Sequence, residues 1–256
     1  MRHNPVRSRL LAGDTVFGVM VMDGINPGLP QIFANAGADF IVYDQEAGCL
    51  DTAAVKTQAA LCRGLGIVPL VNTPWHDYHL LVRPLDSGAM GLMIPVVQTR
   101  EEAEAIVRVT HYPPAGARGV AFGIAHDDYE TADVAAALKA VDDRTLIVPK
   151  IETQRGVESA DAIAGVPGVD VLFVGHMDLS VSLGVPGDYD HPRFTEAVER
   201  VMAACRRHGK AGGCLVATPE QGRLWMGRGF RFVIYATDVI LLTSAYRSGL
   251  AAMRAA

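Results

Sequence analysis

The sequence predicts an α/β protein folded as a (β/α)8 TIM barrel, with residues 1–256 forming a single domain. Three observations predict it. Eight short, β-rich apolar runs alternate with longer stretches of helical spacing, which is the number of strand–helix units the barrel needs. The chain has 256 residues, 50% of them hydrophobic, enough for one large core and a common length for this fold. No Gly-rich dinucleotide fingerprint follows the first run, which counts against the doubly wound alternative.

The elements follow in order. The opening MRHNPVRSRLLAGD carries basic residues without a long apolar stretch behind them and reads as a short helix, not a signal peptide. Strand candidates begin at Thr15 (TVFGVMVM), Asp39 (DFIVYD), Ile67 (IVPLVN) and Gly88 (GAMGLMIP). The stretch from Thr99, TREEAEAIVRVTHY, opens with the Thr and Glu residues that suit a helix start. AFGIAHDDYETAD, from Ala121, interrupts the fourth unit and is the expected active-site loop. Further strands begin at Leu146 (LIVPKIE), Asp170 (DVLFVG), Ala211 (AGGCLV) and Phe230 (FRFVIYA). HPRFTEAVERVMAACRRHGK, from His191, has apolar residues at helical spacing and ends on basic residues and Gly209. There is no linker, repeat or low-complexity segment.

Composition narrows the function classes. The formal net charge is −5 and no Lys/Arg run stands out, so nucleic acid is not an expected partner. The apolar runs are strand-sized, far short of a membrane span, and a soluble cytoplasmic protein is expected. The four cysteines form no C-x-x-C pair and suggest no disulfide framework. Cys62 and Cys205 fall on helical patterns and Cys214 on a strand, as buried small hydrophobes. Cys49 follows a strand end.

Barrel chemistry sits at the C-terminal ends of the strands. Those ends carry Asp44 and Glu46, Asn72, Pro95, Lys150 with Glu152, Gly175 with Asp178, Val216, and Ala236 with Asp238. Acidic groups are concentrated on one face. A hard divalent cation wants oxygen ligands, and magnesium takes one or two carboxylates and keeps waters for substrate oxygens. Glu152 and Asp178, at the ends of neighbouring strands, are such a pair. The alternative is a solvated carboxylate, or for Asp178 a cap on the short helix that follows.

The stretch LIVPKIETQRGVESADAIAGVPGVDVLFVGHMDLSVSLG resembles the metal-binding region of the HpcH/HpaI family, the class II pyruvate aldolases. The resemblance extends to ANAGADFIVYDQEA, LDSGAMGLMIPVVQTREEAEAIV, YPPAGARGVAFG and the closing helix. It implies a (β/α)8 barrel assembled as a homotrimer or homohexamer, with C-terminal helices exchanged between subunits. It also implies a carbon–carbon lyase acting on a pyruvate-type 2-oxo acid through an enolate, on magnesium, manganese or possibly cobalt. By the same resemblance Glu152 and Asp178 match the metal ligands, and Gly175 and Met177 the positions whose backbone lines the substrate carboxylate. Asp44 matches the acid after the second strand. Asp86, near the end of the third helix, matches an acid that holds ordered waters and a neighbouring loop.

Two departures set this chain apart. The family's D-x-E-H motif is here Asp44-Gln45-Glu46-Ala47, with no imidazole. The family's Arg at the end of the third strand is here Asn72, which can donate a hydrogen bond but brings no positive charge. A positioned acid/base is worth roughly 10²–10⁴ in rate, and a donor to a developing oxyanion about 10²–10³. Lys150 stands where the family commonly has Gln, and His176 where it has Pro. Lys150 is expected to restore a cation near the keto oxygen, or else to form an ion pair with a neighbouring carboxylate. A Schiff-base role for it is disfavoured by the nearby acids, which favour the ammonium. His176 is a candidate to replace the missing imidazole. Alternatives to a full aldol cycle are decarboxylation of a 2-oxo diacid, a specialised-metabolite step, or an impaired protein that still binds metal and a carboxylate. Weaker candidates are His126 in the long loop, and His76, His79 and Arg118, read as structural. Trp75 and Trp225 read as packing residues, and Asp238 as a cap on the final helix.

Overall fold

The computed structural model describes residues 1–48, 50–130 and 133–255, so Cys49 and part of the 121–133 segment lie outside the described residues. The strands are β1 (Val16–Val21), β2 (Phe40–Asp44), β3 (Val68–Asn72), β4 (Gly91–Ile94), β5 (Leu146–Ile151), β6 (Val171–Val174), β7 (Ala211–Val216) and β8 (Phe230–Thr237). All neighbours are parallel, and β8 returns to β1, closing the barrel. The expected fold is borne out. The fourth run is shorter than the sequence suggests, because Gly88, at φ +107°, belongs to the turn that precedes β4.

The helices are α1 (Pro5–Leu11), α2 (Leu29–Asn35), α3 (Thr52–Leu61), α4 (Tyr78–Asp86), α5 (Arg100–Thr110) and α6 (Val134–Arg144). After them come α7 (Gln154–Glu158), α8 (Ala160–Ala164), α9 (His176–Ser182), α10 (Pro192–His208), α11 (Pro219–Gly227) and α12 (Asp238–Arg254). Local chemistry explains their ends. Thr99 and Glu102 form a capping box at the start of α5. Gly209 takes the left-handed conformation that ends α10. Among the described residues no helix is long and apolar enough to cross a membrane.

Two layers of core result. Outside the barrel, residues such as Ile41, Tyr43, Leu92, Leu172 and Val233 pack against the helices. Inside it, Met20, Phe40, Val42, Leu70, Met93, Val148, Phe173, Phe232 and Ile234 fill the centre. Phe40 stacks on Phe232 at 4.3 Å between centroids. Gly18 makes that possible, since a Cβ there would lie 2.3 Å from the Phe40 ring. Val6 and Leu10 of α1 belong to this inner cluster. Asn4 ties α1 to the strands' N-terminal end by donating to the carbonyls of Met90 (3.1 Å) and Arg144 (2.8 Å).

Candidate active site

Side chains alternate in and out along a strand. Phe40 and Val42 point inward, so Asp44 does too, and the same two-residue step carries Leu70 to Asn72, Val148 to Lys150 and Glu152, and Phe173 to Gly175. The barrel's closure therefore gathers these side chains at the C-terminal mouth.

Asp44 is buried and fully used. One oxygen accepts from Asn72 Nδ2 (2.5 Å) and the Glu46 N–H (3.1 Å), the other from the N–H groups of Ala47 (3.2 Å) and Gly48 (2.9 Å). Its work is to shape the 45–48 turn. Asn72 donates to Asp44 and, at 2.9 Å, to Glu46 Oε2. Turning the amide would set its carbonyl against two carboxylates, so the orientation is fixed. Both donors of Asn72 are thus consumed, and its buried Oδ1 has no protein partner among the described residues. The expectation that Asn72 offers a substrate a hydrogen bond is corrected by this pairing.

Lys150 is 6% exposed. Its ammonium lies 2.5 Å from Glu46 Oε2 and 3.3 Å from Glu152 Oε1. Burial opposes the charge, but the two carboxylates outweigh it and hold the lysine above its usual pKa. The ion pair is the one of the two sequence expectations for Lys150 that the structure shows, and a charged ammonium does not suit a Schiff-base role. Glu152, 4% exposed, also accepts the Val96 N–H at 2.8 Å. Val96 reaches it from a left-handed φ of +50°, a conformation costing a β-branched residue about 1–3 kcal/mol. Burial still raises the Glu152 carboxyl above its ordinary range, against the pull of Lys150 and Val96.

Gly175, the residue before α9, abuts Glu152: a Cβ there would come within 2.4 Å of Glu152 Cγ and 2.5 Å of Oε1. Asp178 is exposed on the first turn of α9, and the helix has no side-chain cap. The alternative reading of Asp178 as a helix cap is thereby set aside. Met177 is 65% exposed beside it. His176 is half-buried with its ring edge-on to Tyr189 at 5.1 Å between centroids. It lines a cavity of about 240 Å³ with Trp225, Gln221 and Arg228, and no hydrogen bond joins it to Lys150 or Glu46 among the described residues. Burial lowers its pKa, with Asp178 acting against that, which favours a neutral ring.

A divalent cation fits the donor set. Two carboxylates share the Lys150 ammonium, so Glu152 is incompletely compensated, and Asp178 stands exposed in the first turn of α9 with no side-chain hydrogen bond among the described residues. Among the described residues no group of three or more His, Cys, Asp and Glu side chains is arranged as a closed metal cage. Two protein ligands with other positions left to water or substrate is the pattern of a magnesium-type site.

Other sequence-derived candidates lie elsewhere in this chain. Asp86 is the last residue of α4 and so sits at the strands' N-terminal end, paired with Arg118 at 2.6 Å. The barrel does not bring it to Glu152. Residues 125–128 of the expected active-site loop are at that same end: Arg63 binds the Ala125 carbonyl at 3.1 Å and Asp128 at 2.7 Å, and Arg144 donates to the His126 carbonyl. His126 is wholly buried there, so within one chain this part of the loop is no lid. Arg118 anchors a loop, as expected. His76 stacks on Trp75 and bonds the Pro95 carbonyl. Trp225 is buried, but Trp75 is 47% exposed and not a core residue. Asp238 accepts the N–H groups of Met22, Asp23 and Gly24, while Thr237 caps α12. Sequence reasoning undervalued Glu46 and missed Val96. Glu46 carried one signal, its place at a strand end, and Val96 carried none.

Comparisons with known proteins place the chain in a family. A family profile described as HpcH/HpaI aldolase/citrate lyase matches residues 18–245. The chain is 32% identical over 251 residues to the hydroxypyruvate/pyruvate aldolase of Roseovarius nubinhibens, covering 98% of this chain and 97% of that one. It is 34% identical over 220 residues to the 5-keto-4-deoxy-D-glucarate aldolase of Shigella dysenteriae, covering 86% and 85% respectively. The crystal structure of an HpcH/HpaI aldolase from Desulfitobacterium hafniense superposes with a TM-score of 0.92 at 32% identity, covering 97% of this chain and 96% of that one.

Proposed function

The chain belongs to the HpcH/HpaI aldolase/citrate lyase family and is an enzyme of the aldolase/lyase class, and from that premise we propose that it is a divalent-metal-dependent carbon–carbon lyase acting on a pyruvate-type 2-oxo acid. Glu152 and Asp178 hold the cation, magnesium or manganese. Residues 1–256 act as one barrel domain. The observation that carries the reading is the buried Glu152, 3.3 Å from a Lys150 ammonium that it shares with Glu46, at the end of the strand next to the one that leads into exposed Asp178.

When bound, the cation supplies a Lewis acid for the carboxylate and keto oxygens of the 2-oxo acid. The chain supplies the rest. Backbone N–H groups of Met177 and Asp178, in the first turn of α9, receive the substrate carboxylate; the Gly175 N–H, expected to share that role, instead donates to the Ile151 carbonyl at 3.1 Å. Lys150 fixes a positive charge where the family's Arg is lost. Asp44 and Asn72 hold the 45–48 turn. The test is deuterium incorporation into the pyruvate methyl group in D2O, with and without chelator. Exchange that needs Mg2+ or Mn2+ and falls at least a hundredfold in Glu152→Gln and Asp178→Asn supports the reading. Exchange unaffected by chelator refutes it.

Asn72 favours a second reading. With both amide donors consumed, it brings nothing to an aldehyde or keto oxygen, and decarboxylation of a 2-oxo diacid asks less of the site than an aldol cycle. Oxaloacetate turnover exceeding aldol cleavage, with the order reversed in the Ala47→His/Asn72→Arg variant, distinguishes the two.

The assembly is a homo-oligomer with exchanged C-terminal helices. Of the 17 residues of α12 only Asp238 is buried, and Leu242, Tyr246 and Met253 are each at least 70% exposed. Meanwhile an apolar groove of about 290 Å³, lined by Phe17, Val19, Phe33, Tyr235 and Leu241, lies over β1 and β8. A second copy's helix matches it in chemistry.

A further inference from the structure

We propose that Glu46 is the catalytic residue that moves the proton, an inference that rests on the lyase reading above. The argument starts from which groups at the mouth have an atom free to act. Asp44 has both oxygens occupied by four donors. Lys150 is an ammonium tied between two carboxylates. His176 sets its ring edge-on to Tyr189, and no hydrogen bond joins it to Lys150 or Glu46 among the described residues.

Glu46 differs from all of these. Its Oε2 is held from two directions, by Lys150 Nζ at 2.5 Å and Asn72 Nδ2 at 2.9 Å. Its backbone N–H is fixed on Asp44 at 3.1 Å. Its Oε1 takes no hydrogen bond among the described residues, and the side chain is 32% exposed at the open end of the barrel. A carboxylate anchored through one oxygen and presenting the other is the geometry of a positioned base. Ala47 beside it is exposed and carries only a methyl group.

The step balances without a further reactant. Glu46 Oε1 takes the proton of the 4-hydroxyl of a 4-hydroxy-2-oxo acid. The new C=O forms as the C3–C4 bond breaks, and that bond's electron pair passes into the C2–C3 enolate. After the aldehyde leaves, the proton on Glu46 returns to C3, restoring the carboxylate and giving the methyl 2-oxo acid.

The experiment measures methyl deuterium exchange of pyruvate in D2O for the wild type, Glu46→Gln and Glu46→Ala, with oxalate binding measured by calorimetry on each. Expected are exchange 10²–10⁴-fold lower in both variants, oxalate affinity within about threefold of wild type, and partial recovery of Glu46→Ala, but not Glu46→Gln, in formate. Formate supplies a carboxylate in place of the deleted one, and the oxalate affinity separates a catalytic from a merely structural role. Glu46→Gln exchanging within tenfold of wild type overturns the proposal and leaves the lyase reading standing. So does loss of oxalate binding in parallel with exchange, which would make Glu46 a positioning residue. Loss of exchange in His176→Ala, with Glu46→Gln intact, places the proton on the imidazole instead. A wild type that exchanges no 2-oxo acid refutes the lyase reading, and this proposal with it.

Discussion

Replacing Lys150 by Met tests the electrostatic account of the mouth most directly. The substitution keeps the aliphatic stem and removes the one ammonium shared by Glu46 and Glu152. The lysine and Glu152 side chains are 8% and 4% exposed, while Glu46 is 32% exposed and partly screened. Removing one partner of a buried pair costs about 3–5 kcal/mol because the other charge stays buried. Screening of Glu46 favours the lower end of that range. For a domain of this size about 3 kcal/mol corresponds to a fall of roughly 6–12 °C in melting temperature. The pH dependence has a definite sign. Burial already raises the Glu152 carboxyl, and losing Lys150 raises it further. A carboxyl whose folded pKa exceeds its unfolded one binds more protons in the folded state, so stability is lost as pH rises through that interval. The deficit of Lys150→Met should therefore be small in acid and grow toward neutrality. Added Mn2+ supplies the missing positive charge, so it should raise the melting temperature more in the variant than in the wild type. Urea and thermal unfolding between pH 4.5 and 7.5 check this. A deficit under about 1 kcal/mol at neutral pH, or one that does not change with pH, would refute the reasoning.

Gly175→Ala places a methyl group 2.4 Å from Glu152 Cγ; we expect about 1–3 kcal/mol of destabilisation from overpacking and at least tenfold weaker Mn2+ binding by electron paramagnetic resonance, with unchanged affinity counting against Glu152 as a ligand. Mn2+ affinity of the wild type should decline on acidification at a higher pH than an ordinary glutamate would dictate, because burial raises that carboxyl; a titration at several pH values tests it. His126 is held down to about 4 by burial and then by Arg118 and Arg144. Its folded pKa lies below the ordinary 6.5, so stability present above pH 6.5 is lost as pH falls toward 4, by on the order of 3 kcal/mol. His126→Phe should flatten that acid limb in urea unfolding, and an unchanged limb would place the acid sensitivity elsewhere. Leu242→Asp with Tyr246→Asp should dissociate the oligomer in sedimentation velocity, whereas an unchanged mass would put the interface on another face.

Much of the fold was legible because each element carries its own local signal. The run AGGCLV coincides with β7 from Ala211 to Val216, and the Thr99–Glu102 capping box is written in adjacent residues. The candidate ligands were legible for a similar reason: Glu152 and Asp178 sit at strand ends, and barrel topology sends strand ends to one mouth. The functional value of Glu46 was not legible, because its partner Lys150 is 104 residues away and they meet only through closure of the sheet. Asp86 and His126 lie away from the mouth of their own chain for the complementary reason. Their residue types suggest chemistry, but α4 runs back along the barrel and leaves both at its other end.

The sequence by itself determined the strand–helix alternation, the barrel, the family likeness and the loss of the imidazole and guanidinium at positions 47 and 72. These are properties of local pattern and residue identity. Tertiary structure alone decided what replaces them. It turned Asn72 toward two carboxylates, fixed Lys150 between Glu46 and Glu152, and bent Val96 to reach Glu152. The physical reason is that a buried charge takes its pKa and its role from the groups within a few ångströms, and in a closed barrel those groups come from distant strands.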